Sequence, residues 1–194
     1  EILEDETTLI TLDVFDPTND PLTILIPSPP SHGTINIIEE NIIEYIPDFN
    51  FIGYDFFYYV AFETNGEYIS NTAMVEVNII DVNDPPTAFP LTLQTIEDQS
   101  IEITLLGADI EGNELTFEIY TYPENGEISD ISRELAYINY TPNENYYGTD
   151  LFSYRVYDGE SYSQEANISI NIDSVNDFPY IVTNQAELSP GFGD

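Results

Sequence analysis

The chain has no lysine and only two arginines, Arg133 and Arg155, against 37 aspartates and glutamates in 194 residues. A formal charge of −35 repels phosphodiester backbones and anionic bilayers, which excludes nucleic acid and a charged membrane surface as direct partners. Cysteine is absent, so disulfides and thiolate zinc sites are excluded. His32 is the single histidine, and it sits in a Pro29-Pro30-Ser31-His32-Gly33 turn typical of a solvated loop. No glycine-rich phosphate loop is present, and two basic residues are too few to hold a phosphate. No apolar run is long enough to cross a bilayer as a helix, so no direct membrane insertion is expected. No signal peptide precedes Glu1, and the chain reads as a fragment or mature segment of something longer.

What is present is acid and apolar surface in quantity. Hydrophobic residues make up 42% of the chain, with 11 Phe and 15 Tyr, enough to exclude intrinsic disorder and to close one or two cores. The acids are dispersed, as suits solubility in a saline exterior. They also cluster at particular loops, as metal ligands would.

The dominant feature is an internal repeat. Glu4-Asp5 recurs 93 residues on as Glu97-Asp98. The same offset carries Ile10-Thr11-Leu12 onto Ile103-Thr104-Leu105, Asp16 onto Asp109, Leu22-Thr23 onto Leu115-Thr116, and Gly33 onto Gly126. A two-residue insertion then moves Pro47, Gly53, Asp55, Phe57 and Tyr59 onto Pro142, Gly148, Asp150, Phe152 and Tyr154. The original offset returns at Val82-Asn83-Asp84 and Val175-Asn176-Asp177. Insertions confined to loops, with strands in register, are what two copies of one fold show.

Within each copy the hydrophobic period is two. Leu22, Ile24 and Ile26 alternate with Thr23 and Leu25, and Ala73, Val75, Val77 and Ile79 alternate with Met74, Glu76 and Asn78. Phe152, Tyr154 and Val156 alternate with Ser153, Arg155 and Tyr157. Such alternation buries one strand face and wets the other. Turn signals at Asn65-Gly66, Glu111-Gly112-Asn113, Asn125-Gly126 and Asp158-Gly159 separate the runs. Essentially no helix is expected. Six or seven short strands per repeat predict an all-β chain of two tandem cadherin- or immunoglobulin-like antiparallel β-sandwiches with Greek-key connections. The expected divisions are residues 1–84, with a truncated first strand, residues 85–179, and residues 180–194 as the start of a further repeat or a tail.

These motifs resemble the cadherin-like tandem repeats of large bacterial and archaeal surface proteins. The resemblance rests on the Glu-Asp opening loop, on Ala108-Asp109-Ile110-Glu111-Gly112-Asn113, on the Pro-x-x-x-Phe/Tyr-x-Gly-x-Asp-x-Phe-x-Tyr stretch, on Tyr157-Asp158-Gly159, and on the closing Val-Asn-Asp-x-Pro. It implies an extracellular or cell-surface setting. It also implies calcium between successive domains, as in animal cadherins.

The residue chemistry suits that ion, which takes six to eight oxygen ligands. At the joint, Asp81 and Asn83 share one side of an extended linker and Asp84 faces the other, while Pro85 and Pro86 stiffen the exit. Glu4 and Asp5 are expected from the first loop of repeat one, with Asp55 or Asp48 from the loop before its penultimate strand. Asp109, Glu111, Asn113 and Asp158 are expected from repeat two. Glu97, Asp98, Asp150, Asn176 and Asp177 form a second half-site. Repeat one departs from the pattern, with Thr18 where repeat two has Glu111. The competing reading of every such Asp and Asn is a turn former that caps local amides without any metal.

The expected function is therefore a calcium-rigidified spacer or adhesion repeat, not an enzyme. Its expected partners are neighbouring repeats or subunits of the same protein. One alternative is a subunit of an extracellular filament or surface layer. Another is an accessory module binding a surface glycan or protein ligand, with Tyr58, Tyr68, Tyr122, Tyr146, Tyr147 and Tyr162 as candidate contacts. Sequons at Asn139-Tyr140-Thr141 and Asn167-Ile168-Ser169 permit glycosylation.

Overall fold

A computed structural model of the chain describes residues 1–64, 68–132 and 136–179. The Asn65-Gly66 turn, Arg133 and the expected further repeat or tail at 180–194 lie outside these residues. The chain divides into two compact units, Glu1–Asn83 and Asp84–Asp194. No helix occurs among the described residues.

The first unit contains β1 (Ile2–Leu3), β2 (Thr8–Thr11), β3 (Leu22–Ser28), β4 (Gly33–Glu39), β5 (Ile42–Pro47), β6 (Gly53–Glu63) and β7 (Ala73–Ile80). One sheet runs in the order β1-β7-β6-β3 and the other β2-β5-β4. The second unit contains β8 (Thr87–Ala88), β9 (Leu91–Ile96), β10 (Ile101–Thr104), β11 (Gly107–Ala108), β12 (Thr116–Thr121), β13 (Gly126–Ile128), β14 (Tyr137–Pro142), β15 (Gly148–Tyr157) and β16 (Ala166–Asp173). Its sheets run β12-β15-β16-β9 and β10-β14-β13, and β8 pairs with β11 as a short ribbon.

The pairing repeats residue for residue. Gly53 faces Ile79 and Tyr59 faces Ala73 in the first unit, as Gly148 faces Ile172 and Tyr154 faces Ala166 in the second. One pair in each sandwich departs from the antiparallel expectation: β1 runs parallel to β7, and β9 parallel to β16. First and last strands that point the same way carry the chain in at one end of a sandwich and out at the other.

Alternation puts one face of each strand into a core. Leu12, Ile43, Tyr45, Phe57, Tyr59 and Ile79 are buried in the first unit. Their equivalents Leu105, Ile138, Tyr140, Phe152, Tyr154 and Ile172 are buried in the second. Each fully buried side chain of this size contributes about 1.5–3 kcal/mol. Two of the inner tyrosines satisfy their hydroxyls on the backbone: Tyr59 donates to the Asp13 carbonyl at 2.9 Å, and Tyr154 to those of Phe89 and Leu106 at 2.6 and 2.8 Å.

Candidate metal-binding loops

In the first unit, β1 delivers Glu4 and Asp5 into the turn before β2. Asp5 takes a left-handed backbone (φ 57°), which Asp tolerates better than most residues. Its Oδ1 accepts the Asn50 N–H at 2.8 Å, pinning this turn to the loop between β5 and β6. Glu4 turns inward and is 5% exposed. Its Oε1 accepts the Val82 N–H at 2.8 Å, while its own N–H donates to the Ile80 carbonyl at 3.0 Å. The opening turn is thereby stitched to the chain leaving β7.

That stitch is electrostatically costly. Oxygens of the Glu4 and Asp81 carboxylates lie within 4.8 Å of one another. Burial pushes the Glu4 carboxyl above the usual range; the Val82 N–H opposes the shift, and Asp81 and Asp5 add to it. Residues 1–83 contain no lysine or arginine to offset these charges. A buried carboxylate beside two others, with no protein cation in its repeat, is a donor set that suits a hard, oxygen-seeking divalent ion.

The second unit rebuilds the same loop. Asp98 is left-handed (φ 61°) and accepts the Asn145 N–H at 3.1 Å. Glu97 is buried, and its Oε1 accepts the Val175 N–H at 2.5 Å. Asn176 and Asp177 follow as exposed residues of the strand-free exit, and Asn176 Nδ2 donates to the Asp177 carbonyl at 3.2 Å. After Val82, Asn83 closes the first unit and Asp84 opens the second at the matching sequence positions, both outside any strand.

At the other end of each sandwich the two repeats differ. Asp109 Oδ1 accepts the Asn113 N–H at 2.8 Å, and Gly112 makes the turn with φ 79°. Asp109 Oδ2 and Glu111 Oε2 are shielded from water and have no hydrogen-bond partner. In repeat one the equivalent loop closes on itself. Asp16 Oδ1 accepts from the Thr18 N–H, the Thr18 hydroxyl and the Asp20 N–H at 2.8, 2.8 and 3.1 Å. The Thr18 hydroxyl bond comes first among the causes that hold the Asp16 carboxyl below its ordinary range. Threonine in place of Glu111 thus converts the loop into a self-capped turn. Asp158 also caps its own turn, accepting the Glu160 and Ser161 N–H groups at 2.6 and 2.7 Å and the Ser161 hydroxyl at 3.1 Å.

Asp55 and Asp150, counted above among the candidate ligands, both serve as buried structural latches. Asp55 is 3% exposed and accepts the Ser31, His32 and Phe56 N–H groups and the Tyr45 hydroxyl at 2.8–2.9 Å. Asp150 accepts the Glu124, Asn125 and Leu151 N–H groups and the Tyr140 hydroxyl at 3.2, 3.0, 3.0 and 2.8 Å. A carboxylate has about four acceptor directions, and here they are taken. Sequence reasoning missed the tyrosine half of each latch. It also read Gly33 and Gly126 as turn residues, whereas each opens a strand over a tyrosine ring. A Cβ at Gly33 would sit 2.7 Å from the Tyr45 Cζ and hydroxyl, and one at Gly126 would sit 2.6 Å from those of Tyr140. The signal was available, because Tyr45 and Tyr140 recur in register with Asp55 and Asp150. His32 is also structural, with its ring stacked on Phe51 at 4.0 Å.

Two sandwiches of one topology, each with a buried acid at its opening turn, define a tandem immunoglobulin-like repeat of the cadherin-like type. The chain belongs to the Bacterial Ig domain family, whose profile matches residues 1–78 and 83–171. Integrin beta-like protein B of Dictyostelium discoideum is 32% identical over 122 residues, covering 51% of this chain and 6% of that protein. The chain therefore spans a small fraction of this relative. Among solved structures, human protocadherin-24 EC1-2 aligns with a TM-score of 0.55 at 11% identity, over 90% of this chain and 94% of that one. An endo-fucoidan hydrolase of glycoside hydrolase family 107 aligns with a TM-score of 0.40 at 19% identity, over 91% of this chain and 27% of that one.

Proposed function

We propose that the chain is a calcium-stiffened, non-catalytic spacer within a large extracellular or cell-surface protein. The observation that carries this reading is Glu4: a buried carboxylate held against the exiting chain, beside Asp81 and Asp5, in a repeat without lysine or arginine. Two carboxylates ~4 Å apart repel by about 1 kcal/mol in water and about 4 at an effective dielectric of 20. An ion shared by Glu4 and Asp81 turns that repulsion into a clamp, and the linker beginning at Asp81 then leaves the sandwich in a fixed direction. Glu97 and the exit after Val175 supply the same clamp at the end of repeat two. The unpartnered oxygens of Asp109 and Glu111 favour a further ion contact at that loop, whereas the self-capped Asp16 loop favours none. Family membership and the excess of acid support an exterior setting.

Small-angle scattering and thermal melting of the chain, with calcium and with excess chelator, test the proposal. Calcium is expected to narrow the distribution of inter-domain distances and to raise the melting temperature. Identical curves in both buffers would sink it.

A further inference from the structure

The two repeats share one register, so each is a control for what the fold requires of the other. On the outer face of the four-stranded sheet of repeat one, β6 presents Tyr54, Phe56 and Tyr58, and Val60, next along the same face, is covered (7% exposed). Met74 lies opposite Tyr58, and Leu25 opposite Val60. Leu25, Tyr54, Phe56, Tyr58 and Met74 are 40–58% exposed. The rings of Tyr54 and Phe56 lie 6.5 Å apart and nearly parallel. Directly opposed side chains lie ~5 Å apart, so these residues form one continuous apolar surface.

Repeat two fills the same positions with Thr149, Leu151, Ser153, Arg155, Asn167 and Glu118. Leu151 alone stays large and apolar. Where repeat one pairs Val60 with Leu25, repeat two pairs Arg155 with Glu118 in a 2.8 Å ion pair. The sandwich folds with mostly polar residues at these positions, although Tyr120 and Tyr162 flank Arg155 beside them, so stability of the fold does not call for the aromatic cluster of repeat one. An exposed, contiguous apolar patch without a packing role marks an interaction site. Tyr, Phe and Met are the residue types enriched at protein interfaces.

We infer that this face of repeat one docks a protein partner whose contact surface is apolar at its centre and rich in lysine or arginine at its rim. The charge follows from the surroundings. Glu76 sits opposite Phe56 within the patch, Glu1 accepts from Asn78 at its border, and repeat one has no lysine or arginine. A second copy would bring the same acids against these and be repelled. A glycan is disfavoured by the exposed Leu25 and Met74, which offer a sugar neither a stacking plane nor a hydrogen bond.

The test uses the full chain and a phage-displayed library of random 12-residue peptides, panned on the wild type. Its comparison variant is Tyr54→Thr/Phe56→Leu/Tyr58→Ser/Met74→Asn, which installs the residues of repeat two. Enriched clones are expected to combine Lys or Arg with aromatic or aliphatic residues. They are expected to bind the variant at least tenfold more weakly and to weaken as salt rises. Because Glu76 is exposed, Glu76→Lys keeps the fold and is expected to weaken the same clones several-fold even if the quadruple variant misfolds. Clones that bind wild type and both variants equally overturn the inference, as does a panning without enrichment. A wild-type dimer in sedimentation velocity that the substitutions abolish, or binding to a neutral-glycan array with the same sensitivity, assigns the face to a different occupant and also overturns it.

Discussion

The hydroxyl of Tyr45 donates a 2.9 Å hydrogen bond to Asp55 inside the first sandwich. Tyr140 does the same to Asp150 at 2.8 Å in the second. In both units the carboxylate also gathers backbone N–H groups from the turn before the glycine strand, so one buried acid ties a core ring, a loop and its own strand together. Hydrogen bonds to a charged acceptor are the stronger kind, and removing the acceptor strands several donors at once.

Substitution should therefore act unequally on the two partners. Tyr45→Phe removes one donor and is expected to cost about 1.5–3 kcal/mol, whereas Asp55→Ala leaves three N–H groups and a hydroxyl unpaired and should cost more. Urea unfolding of the chain checks the order; equal losses would contradict the latch.

The glycine above each ring has no room for a methyl group. Gly33→Ala and Gly126→Ala are expected to lose about 1–3 kcal/mol each by overpacking against Tyr45 and Tyr140. Gly112→Ala meets nothing within 4 Å and should cost only its left-handed strain, about 1–2 kcal/mol. In a double-mutant cycle, Gly33→Ala combined with Tyr45→Leu should lose less than the sum of the two single losses, whereas Gly112→Ala and Tyr45→Leu should add; that coupling would confirm steric contact with the ring as a cause.

Acid should loosen repeat one through Asp55. Burial is the largest single influence and raises its pKa, yet the Ser31 and His32 N–H groups, the Tyr45 hydroxyl and the Phe56 N–H together bring it below the ordinary 3.8. A carboxyl whose folded value is depressed adds stability above its unfolded value, and that stability is lost as pH falls through the folded one. Melting temperatures measured in chelator from pH 6 downward should thus fall below about pH 4, and Asp55→Asn should flatten that limb. An unaltered acid limb in the variant would remove Asp55 from the account.

Calcium should change the sign of a mutation. At a hundredfold excess over its dissociation constant an ion adds about 2.7 kcal/mol, worth roughly 10–20 °C in a domain of this size. Glu4→Gln and Asp81→Asn are expected to abolish most of that gain. In chelator the same substitutions remove a like-charge neighbour and should leave the melting temperature unchanged or slightly raised. Loss of stability in both buffers would identify Glu4 as a purely structural acid.

Strand positions and the inward face were legible because a period of two and a 93-residue offset need no knowledge of tertiary contacts. Leu12 and Leu105 or Phe57 and Phe152 are assigned to the core by pattern alone. The roles of the acids were less legible. Glu4, Asp5, Asp55 and Asp81 are all acids near turns in the sequence, yet Asp5 holds a loop, Asp55 lies latched beneath a tyrosine, and Glu4 faces Asp81. Chain order cannot separate them, since the difference lies in which backbone N–H groups reach each carboxylate.

The sequence by itself determined the duplication, the all-β class, the two cores and the scarcity of basic charge, because each is a property of composition or spacing. Only the tertiary structure decided that Asp55 and Asp150 are consumed by hydrogen bonds, that Gly33 and Gly126 lie over rings, and that Tyr54, Phe56 and Tyr58 share one exposed face. Those facts depend on atoms from distant strands meeting at 3–4 Å, a distance scale at which a one-dimensional pattern carries no information.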